Sequence, residues 1–438
     1  MEKVKISTTK QLQENLQTGL NGELAVPGDK SISHRGIMFG AISEGTTILH
    51  HFLTAEDCLS TLKAFQQLGV PITRDGETVK IEGVGLRGLQ EPNEPIDMGN
   101  SGTTTRLIMG LLAGQNFQTK LIGDASLSKR PMKRVSEPLA QMGADIAVTD
   151  GHLPATITGK PLHSVDYHLK VASAQVKSAL ILAGLQADGD SIFVEKQPTR
   201  NHTEIMLRAF GADIETEPDE VTITVHPDPK MHGIEMNVPG DMSSAAFFMT
   251  AASLVPNSKV KLLNVGMNDT RTGLYEILKR MGGKISLSNE NSDGEPTADL
   301  TVESANLKPI EIGADEIPAV IDELPLVALL AAKANGISKI TGAGELRVKE
   351  TDRISAIVTE FRKLGISIEE LEDGFIIDGR KPWHVANSQL DSHGDHRIGM
   401  VMAVAALLVD QPLTLAGADS INISYPEFFD DLDTLIQR

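Results

Sequence analysis

One unit recurs along the chain: an apolar helix that ends in glycine, followed by a short strand pair. Its copies span Leu62–Ile72, Glu137–Ile146, Glu204–Ile214, Glu276–Ile285 and Glu360–Ile368. The closing glycines are Gly69, Gly143, Gly211, Gly282 and Gly365, roughly 70–80 residues apart. Glycine suits that place because a chain leaving a helix turns through positive φ. Alternating residues follow, as in Thr78–Glu82 and Val221–Val225, which predicts half-buried strands. A second element recurs at matching intervals, a polar turn that opens an alanine-rich apolar helix. Its copies start at Gly28, Gly99, Ala172, Gly240, Ile321 and His393. Such a unit cannot bury its own apolar face, so copies must stack on one another. Six units of 73 residues account for the 438.

The repeat predicts an α/β protein of six βαβαββ-type units, three in each of two domains. The tetrapeptide Val26-Pro-Gly-Asp29 returns as Val238-Pro-Gly-Asp241, and the two crossings between domains are expected near these copies. One domain then comprises residues 1–22 with 237–438, and the other, inserted, comprises 23–236. The last unit stops after the helix Glu427–Ile436, and the strand Lys3–Thr8 is expected to complete it. Ser288–Asp299 reads as a solvated hairpin tip.

Charge and composition exclude several functions. Lys plus Arg is 40 and Asp plus Glu is 59, a net charge of −19, so neither nucleic acid nor an anionic membrane is an expected partner. The single cysteine, Cys58, rules out an intrachain disulfide framework and reads as a small buried hydrophobe. The longest apolar run, Ile398–Val409, is too short for a membrane span, and no secretory signal is visible, so a cytoplasmic location is expected.

Polar residues collect where the apolar helices begin. They are Lys30, Ser31, Ser33 and Arg35; Asn100, Ser101, Thr103 and Arg106; Ser173, Gln175 and Lys177; Asp322 and Glu323; and Asp395, His396 and Arg397. Helix N-termini favour anions, and cations placed there cost stability unless an anion is bound. Lys30, Arg35, Arg106 and Arg397 break that rule together, which predicts a local basic cleft for a small, multiply charged anion. Ser33, Ser243 and Thr104 read as plain N-caps. Lys129, Arg130, Arg200, Lys349 and Arg353 add to the basic set. Asp322, expected to open a helix, and Glu350, between cations, are the candidate acid and base; a solvated ion pair is the plainer reading of Glu350 and Asp352. Gly83-x-Gly85-x-x-Gly88 follows a strand but opens no helix, so it reads as a turn. Gly28-Asp-Lys-Ser31 lacks the upstream glycine of a P-loop. His393 and His396 lack further ligands, and no metal is expected.

These segments resemble the 5-enolpyruvylshikimate-3-phosphate synthase family. The match rests on Gly28–Arg35, Gly99–Thr103, Lys129–Met132, Ser173–Lys177, Arg347–Arg353 and Gly394–Arg397, in order along the whole chain. Gly-Asp-Lys30, Ser173-Ala-Gln-x-Lys177, Arg200-x-His-x-Glu204 and Asn268-x-Thr-Arg271 resemble its class II branch.

The resemblance implies an inside-out α/β barrel whose helix N-termini face the interdomain cleft. It implies transfer of the enolpyruvyl group of phosphoenolpyruvate to the 5-hydroxyl of shikimate 3-phosphate, with release of phosphate, on the way to chorismate. It implies no cofactor and a monomer. By resemblance, Lys30, Ser31, Arg35, Ser173, Ala174, Gln175, Arg200, Asp322 and Lys349 contact shikimate 3-phosphate. Lys30, Gly102, Arg130, Gln175, Arg353 and Arg397 contact phosphoenolpyruvate. Asp322, Glu350, Lys30 and Lys349 carry the chemistry, and Asn100, Asp395 and His396 support it.

This sequence departs from many relatives at Ala174, where a serine is common, at Glu345, where asparagine is common, and at Ile423, where a lysine is common. Gly102 goes with glyphosate sensitivity, whereas the class II marks go with tolerance. The competing readings are a UDP-N-acetylglucosamine enolpyruvyl transferase and a non-catalytic anion-binding module. The first is disfavoured by Ser31 after the lysine and by Lys129-Arg-Pro131 where that family carries a reactive Cys or Asp. An open empty state and a closed liganded one are expected, because like charges across a cleft repel until anions neutralise them.

Overall fold

Gly69, Gly143, Gly211, Gly282 and Gly365 all adopt positive φ, between 78° and 95°, at the ends of five helices in the computed structural model. The structure describes residues 8–12, 18–292 and 294–436. By its internal packing the chain divides into two compact units, Met1–Pro27 with Gly240–Arg438, and Gly28–Pro239.

Six sheets are described, three in each unit. Five have four strands in one order: a short strand parallel to its neighbour, then two antiparallel partners. In the Gly28–Pro239 unit, Glu235–Asn237 runs parallel to Glu44–His50, which pairs with Thr78–Val84, which pairs with Ile72–Asp75. The last strand of that unit thus lies beside its first, and the unit closes on itself. In the other unit, Asn21–Leu24 runs parallel to Lys259–Gly266. The sixth sheet has three strands, and Thr9–Leu12 is its edge, antiparallel to Leu413–Ala416. The strand expected over Lys3–Thr8 lies outside the described residues except for Thr8.

The alanine-rich helices are apolar all round, and a helix of that kind must lie inside. Lys30–Ile42, Gly102–Ala113 and Ala174–Gly184 are buried over nearly their whole length in one unit. Met242–Leu254, Leu324–Ala331 and His396–Ala406 do the same in the other. Small residues let them approach closely. A Cβ on Gly110 would fall 1.9 Å from the carbonyl oxygen of Ala179 on the neighbouring helix. The helices that end in glycine are amphipathic and cover the outside, as in Gly273–Arg280, where Leu274, Ile277 and Leu278 are buried.

Two local expectations need correction. Ser33, Ser243 and Thr104 are not N-caps; Asp29, Asp241 and Ser101 hold those places. A carboxylate or hydroxyl one step outside the helix reaches the free N–H groups, whereas residues inside the first turn do not. Ser33 instead accepts from the Leu53 N–H at 3.1 Å. Asp322 does not open a helix either. It lies in the turn between Ile317–Val320 and Leu324–Ala331, two residues before the second begins.

Candidate functional site

In the Gly28–Pro239 unit, the starts of three buried helices carry the polar residues. Lys30 is the first residue of its helix and pairs with Asp57, a buried carboxylate on Glu56–Gln67. Arg35 sits one turn on and is only 2% exposed. Its guanidinium donates to Thr203 Oγ1 at 2.7 Å, Ser178 Oγ at 3.0 Å and the Ser31 carbonyl at 3.1 Å, tying three helices together. His34 lies beside it, with Nδ1 2.6 Å from Thr61 Oγ1 in a chain of hydroxyls through Thr104 to Ser101. Burial pushes this imidazole down to about 3, against the opposing pull of Asp57, so it is neutral at ordinary pH.

The second helix start, Gly102, faces Arg130. A Cβ on Gly102 would lie 3.0 Å from Arg130 Nη1, so the glycine keeps room for the guanidinium. Arg130 Nη2 donates to Asn100 Oδ1 at 2.8 Å, and Asn100 donates in turn to Asp124 at 2.8 Å. At the third start, Ser173 caps Ala174–Gly184. Gln175 accepts from Arg106 and donates to Thr103 Oγ1 at 3.0 Å, which joins the second and third starts. Lys177, 1% exposed, meets Glu195 at 2.8 Å and Glu204 at 2.7 Å and fastens the loop that carries Arg200. Burial pushes the Glu195 carboxyl up, against the pull of Lys177. Lys30, Ser31, Arg35, Asn100, Gly102, Ser173, Ala174 and Gln175 thus lie at three connected helix starts, and Arg130 reaches the second from the segment after Leu127–Lys129.

In the other unit, Arg353 is the hub. It is 1% exposed. Its Nε donates to Asp395 Oδ2 at 2.7 Å, its Nη2 to Glu350 Oε2 at 2.6 Å, and its Nη1 to Asp322 Oδ1 at 3.4 Å. Burial alone would weaken its charge, but Asp395, Glu350 and Asp322 together hold the guanidinium well above its ordinary value. Lys349 donates to the same Asp322 Oδ1 at 3.2 Å. Asp395 caps the helix His396–Ala406 and accepts from the Arg397 N–H at 2.8 Å. Arg397 Nη1 reaches the Asp322 carbonyl at 3.1 Å and Glu323 Oε1 at 3.2 Å. His396, the next residue of that turn, is 4% exposed.

The plainer reading of the loop Arg347–Arg353 holds for one half of it. Arg347 pairs with Asp352 at 2.7 Å and Glu370 at 3.0 Å on a partly exposed face. Glu350 instead turns to the buried Arg353, which keeps it out of that exposed pair. Asp322, Lys349, Glu350, Arg353, Asp395 and Arg397 are brought together. Three carboxylates share one buried arginine, and one of them, Asp322, also holds an ammonium, an arrangement suited to moving protons beside fixed positive charge.

Sequence reasoning missed several partners. Asp57 on Lys30 has no local signal, since the two are far apart in the chain. Glu323 sits under Arg397 and accepts from Ser243, which also accepts from Arg271 at 2.6 Å. Arg271 was marked by the Asn268-x-Thr-Arg271 pattern, but its place against Ser243 and Asp241 was not legible. Among the described residues one His/Cys/Asp/Glu group has ligand atoms within 4.8 Å of one another, Asp213, Glu215 and His226. Both of its carboxylates are exposed, and it includes no residue of either cluster. His393 pairs with Glu360 at 2.8 Å and lies outside it. No helix of the described residues is long and apolar enough to cross a membrane.

A family model for EPSP synthase (3-phosphoshikimate 1-carboxyvinyltransferase) matches residues 15–432. The 3-phosphoshikimate 1-carboxyvinyltransferase of Lactiplantibacillus plantarum is 61% identical over 98% of this chain and 99% of its own. That of Oenococcus oeni is 54% identical over 98% of both chains. The solved EPSP synthase of Acinetobacter baumannii superposes with a TM-score of 0.86 at 44% identity, covering 98% of each chain. The enolpyruvyl transferase NikO of Streptomyces tendae superposes at 0.79 with 18% identity, a likeness of fold alone.

Proposed function

The chain belongs to the EPSP synthase family, and from that premise we propose that it moves the enolpyruvyl group of phosphoenolpyruvate to the 5-hydroxyl of shikimate 3-phosphate, releasing phosphate, in chorismate and aromatic amino-acid biosynthesis. The single observation that carries the chemistry is the buried Arg353 with Glu350 on one side and Asp322, shared with Lys349, on the other.

Glu350 donates a proton to the methylene carbon of phosphoenolpyruvate, which leaves the adjacent carbon cationic. The 5-hydroxyl attacks that carbon and gives its proton to Asp322, with Lys349 stabilising the developing oxyanion. The resulting tetrahedral adduct then returns a proton from its new methyl group to the Glu350 carboxylate and expels phosphate from the neighbouring carbon. This restores the double bond as an enolpyruvyl ether. No step calls on a metal or organic cofactor. Arg353, Arg397, Arg130 and Lys30 hold the phosphate and carboxylate of phosphoenolpyruvate, with Gly102 leaving room for them and Gln175 lying between the substrates. Lys30, Ser31, Arg35, Ser173, the Ala174 backbone and Arg200 hold shikimate 3-phosphate. Asn100 supports Arg130, while Asp395 and His396 support the turn that presents Arg397. The common order of the sheets supports the finer reading of six βαβαββ units in an inside-out α/β barrel of two domains.

Asp322→Ala and Glu350→Gln test this reading. Each is expected to lower kcat by about a hundredfold or more while leaving substrate binding within about tenfold. Unchanged turnover in both would leave the non-catalytic module as the better account.

A further inference from the structure

Two of the short sequence patterns meet in space. Lys177 ends the segment Ser173–Lys177, and Glu204 ends Arg200–Glu204, and the two form a buried ion pair at 2.7 Å. An ammonium has three donors and no acceptor. All three are spent here. They go to Glu195 Oε2 at 2.8 Å, to the Thr199 carbonyl at 3.3 Å and to Glu204 Oε1 at 2.7 Å. These partners bracket one residue, Arg200. Glu195 opens the loop after the strand Ser191–Val194, Thr199 is the residue before Arg200, and Glu204 lies in the first turn of the helix His202–Ala209. Thr199 closes the bracket further by donating its hydroxyl to Glu195. The residues adjacent to Lys177 and Glu204 on the two helices make a second layer, in which Ser178 Oγ lies 2.6 Å from Thr203 Oγ1 and both meet Arg35.

The lysine stands on the same helix whose first turn presents Ser173, Ala174 and Gln175. A ten-residue segment therefore has its backbone fixed, through one side chain, to the helix start beside it. Lys177 is 1% exposed and Glu195 and Glu204 each 2% on their side chains, so no substrate touches the clamp. We propose that Lys177, with Glu195 and Glu204, is a positioning device that sets Arg200 against the Ser173–Gln175 helix start, and so sets the affinity for the phosphorylated acceptor. The inference rests on the proposed function for the ligand that Arg200 meets. A flexible arginine on an unclamped loop would lose entropy on every binding event; the clamp pays that cost in folding instead.

The test is a double-mutant cycle between Glu204→Gln and Arg200→Ala, read as KM for shikimate 3-phosphate, KM for phosphoenolpyruvate and kcat. Glu204→Gln keeps the shape of the side chain and removes its charge. It is expected to raise the acceptor KM about tenfold, with KM for phosphoenolpyruvate and kcat within about twofold. In the Arg200→Ala background the same change is expected to add almost nothing, since residues that act as a unit are not additive. Should Glu204→Gln fail to yield folded protein, Glu195→Gln serves in the same cycle with the same expected result. Equal rises in both KM values, or full additivity with Arg200→Ala, would overturn the proposal. Absence of phosphate release by the wild-type protein with both substrates would overturn the functional reading on which it rests, a separate outcome.

Discussion

A single buried arginine carries much of the polar energetics at the residue scale. Arg353 lies against Asp395, itself fully buried, and breaking a buried pair of this kind costs about 3–5 kcal/mol. Arg353→Met is therefore expected to lower stability by that amount in urea unfolding, besides abolishing turnover. Gly102→Ala should behave oppositely. Alanine is the better helix former, so stability is kept, but its Cβ meets Arg130 Nη1 at 3.0 Å. A several-fold rise in KM for phosphoenolpyruvate at nearly constant Tm is expected. His34 supplies a pH dependence. Its folded value is down near 3, below the ordinary 6.5, because burial disfavours the cation. The unfolded chain then binds more protons between those values, so the stabilising contribution is present above pH 6.5 and is lost as pH falls towards 3. The slope from this group is at most about 1.4 kcal/mol per pH unit. His34→Gln should flatten unfolding free energy against pH between 4 and 6, and an unchanged slope would count against a neutral buried imidazole. The residues that hold the candidate site were legible where they sit in short contiguous runs such as Gly28–Arg35 or Arg347–Arg353. Their partners Asp57 and Asp124 were not, nor was the pairing of Glu323 with Arg397, because long-range contacts leave no local pattern.

Elements were legible wherever period and punctuation agreed. The strand expected over Thr78–Glu82 spans Thr78–Val84, the one over Val221–Val225 spans Thr222–Val225, and the last helix, Glu427–Ile436, spans Phe428–Ile436. The closing glycines were legible because only glycine enters that backbone region without strain. Caps were misjudged because serine, threonine and aspartate compete for the same few positions, and only the backbone decides which stands outside the first turn. The glycines also differ in what surrounds them. A Cβ on Gly282 meets nothing within 4 Å, whereas one on Gly365 would fall 2.3 Å from the His384 carbonyl oxygen. Gly282→Ala should cost only the φ penalty, about 1 kcal/mol. Gly365→Ala should cost clearly more, on the order of 2–3 kcal/mol, by thermal or urea unfolding. Equal costs would mean that the backbone at Gly365 relaxes freely.

For the whole molecule, a net charge of −19 coexists with two local sets of cations, Lys30, Arg130 and Arg200 in one unit and Lys349, Arg353 and Arg397 in the other. The proposed reaction draws on both sets for one pair of anionic substrates. The likeness to NikO at 18% identity is one of fold and carries no choice of acceptor. The choice rests on the residues of the helix starts and on relatives as near as 61% identity. The most direct measurement is phosphate release by the purified protein with phosphoenolpyruvate and each acceptor in turn. Release with shikimate 3-phosphate and none with UDP-N-acetylglucosamine is the predicted result. Release with UDP-N-acetylglucosamine and none with shikimate 3-phosphate would contradict it.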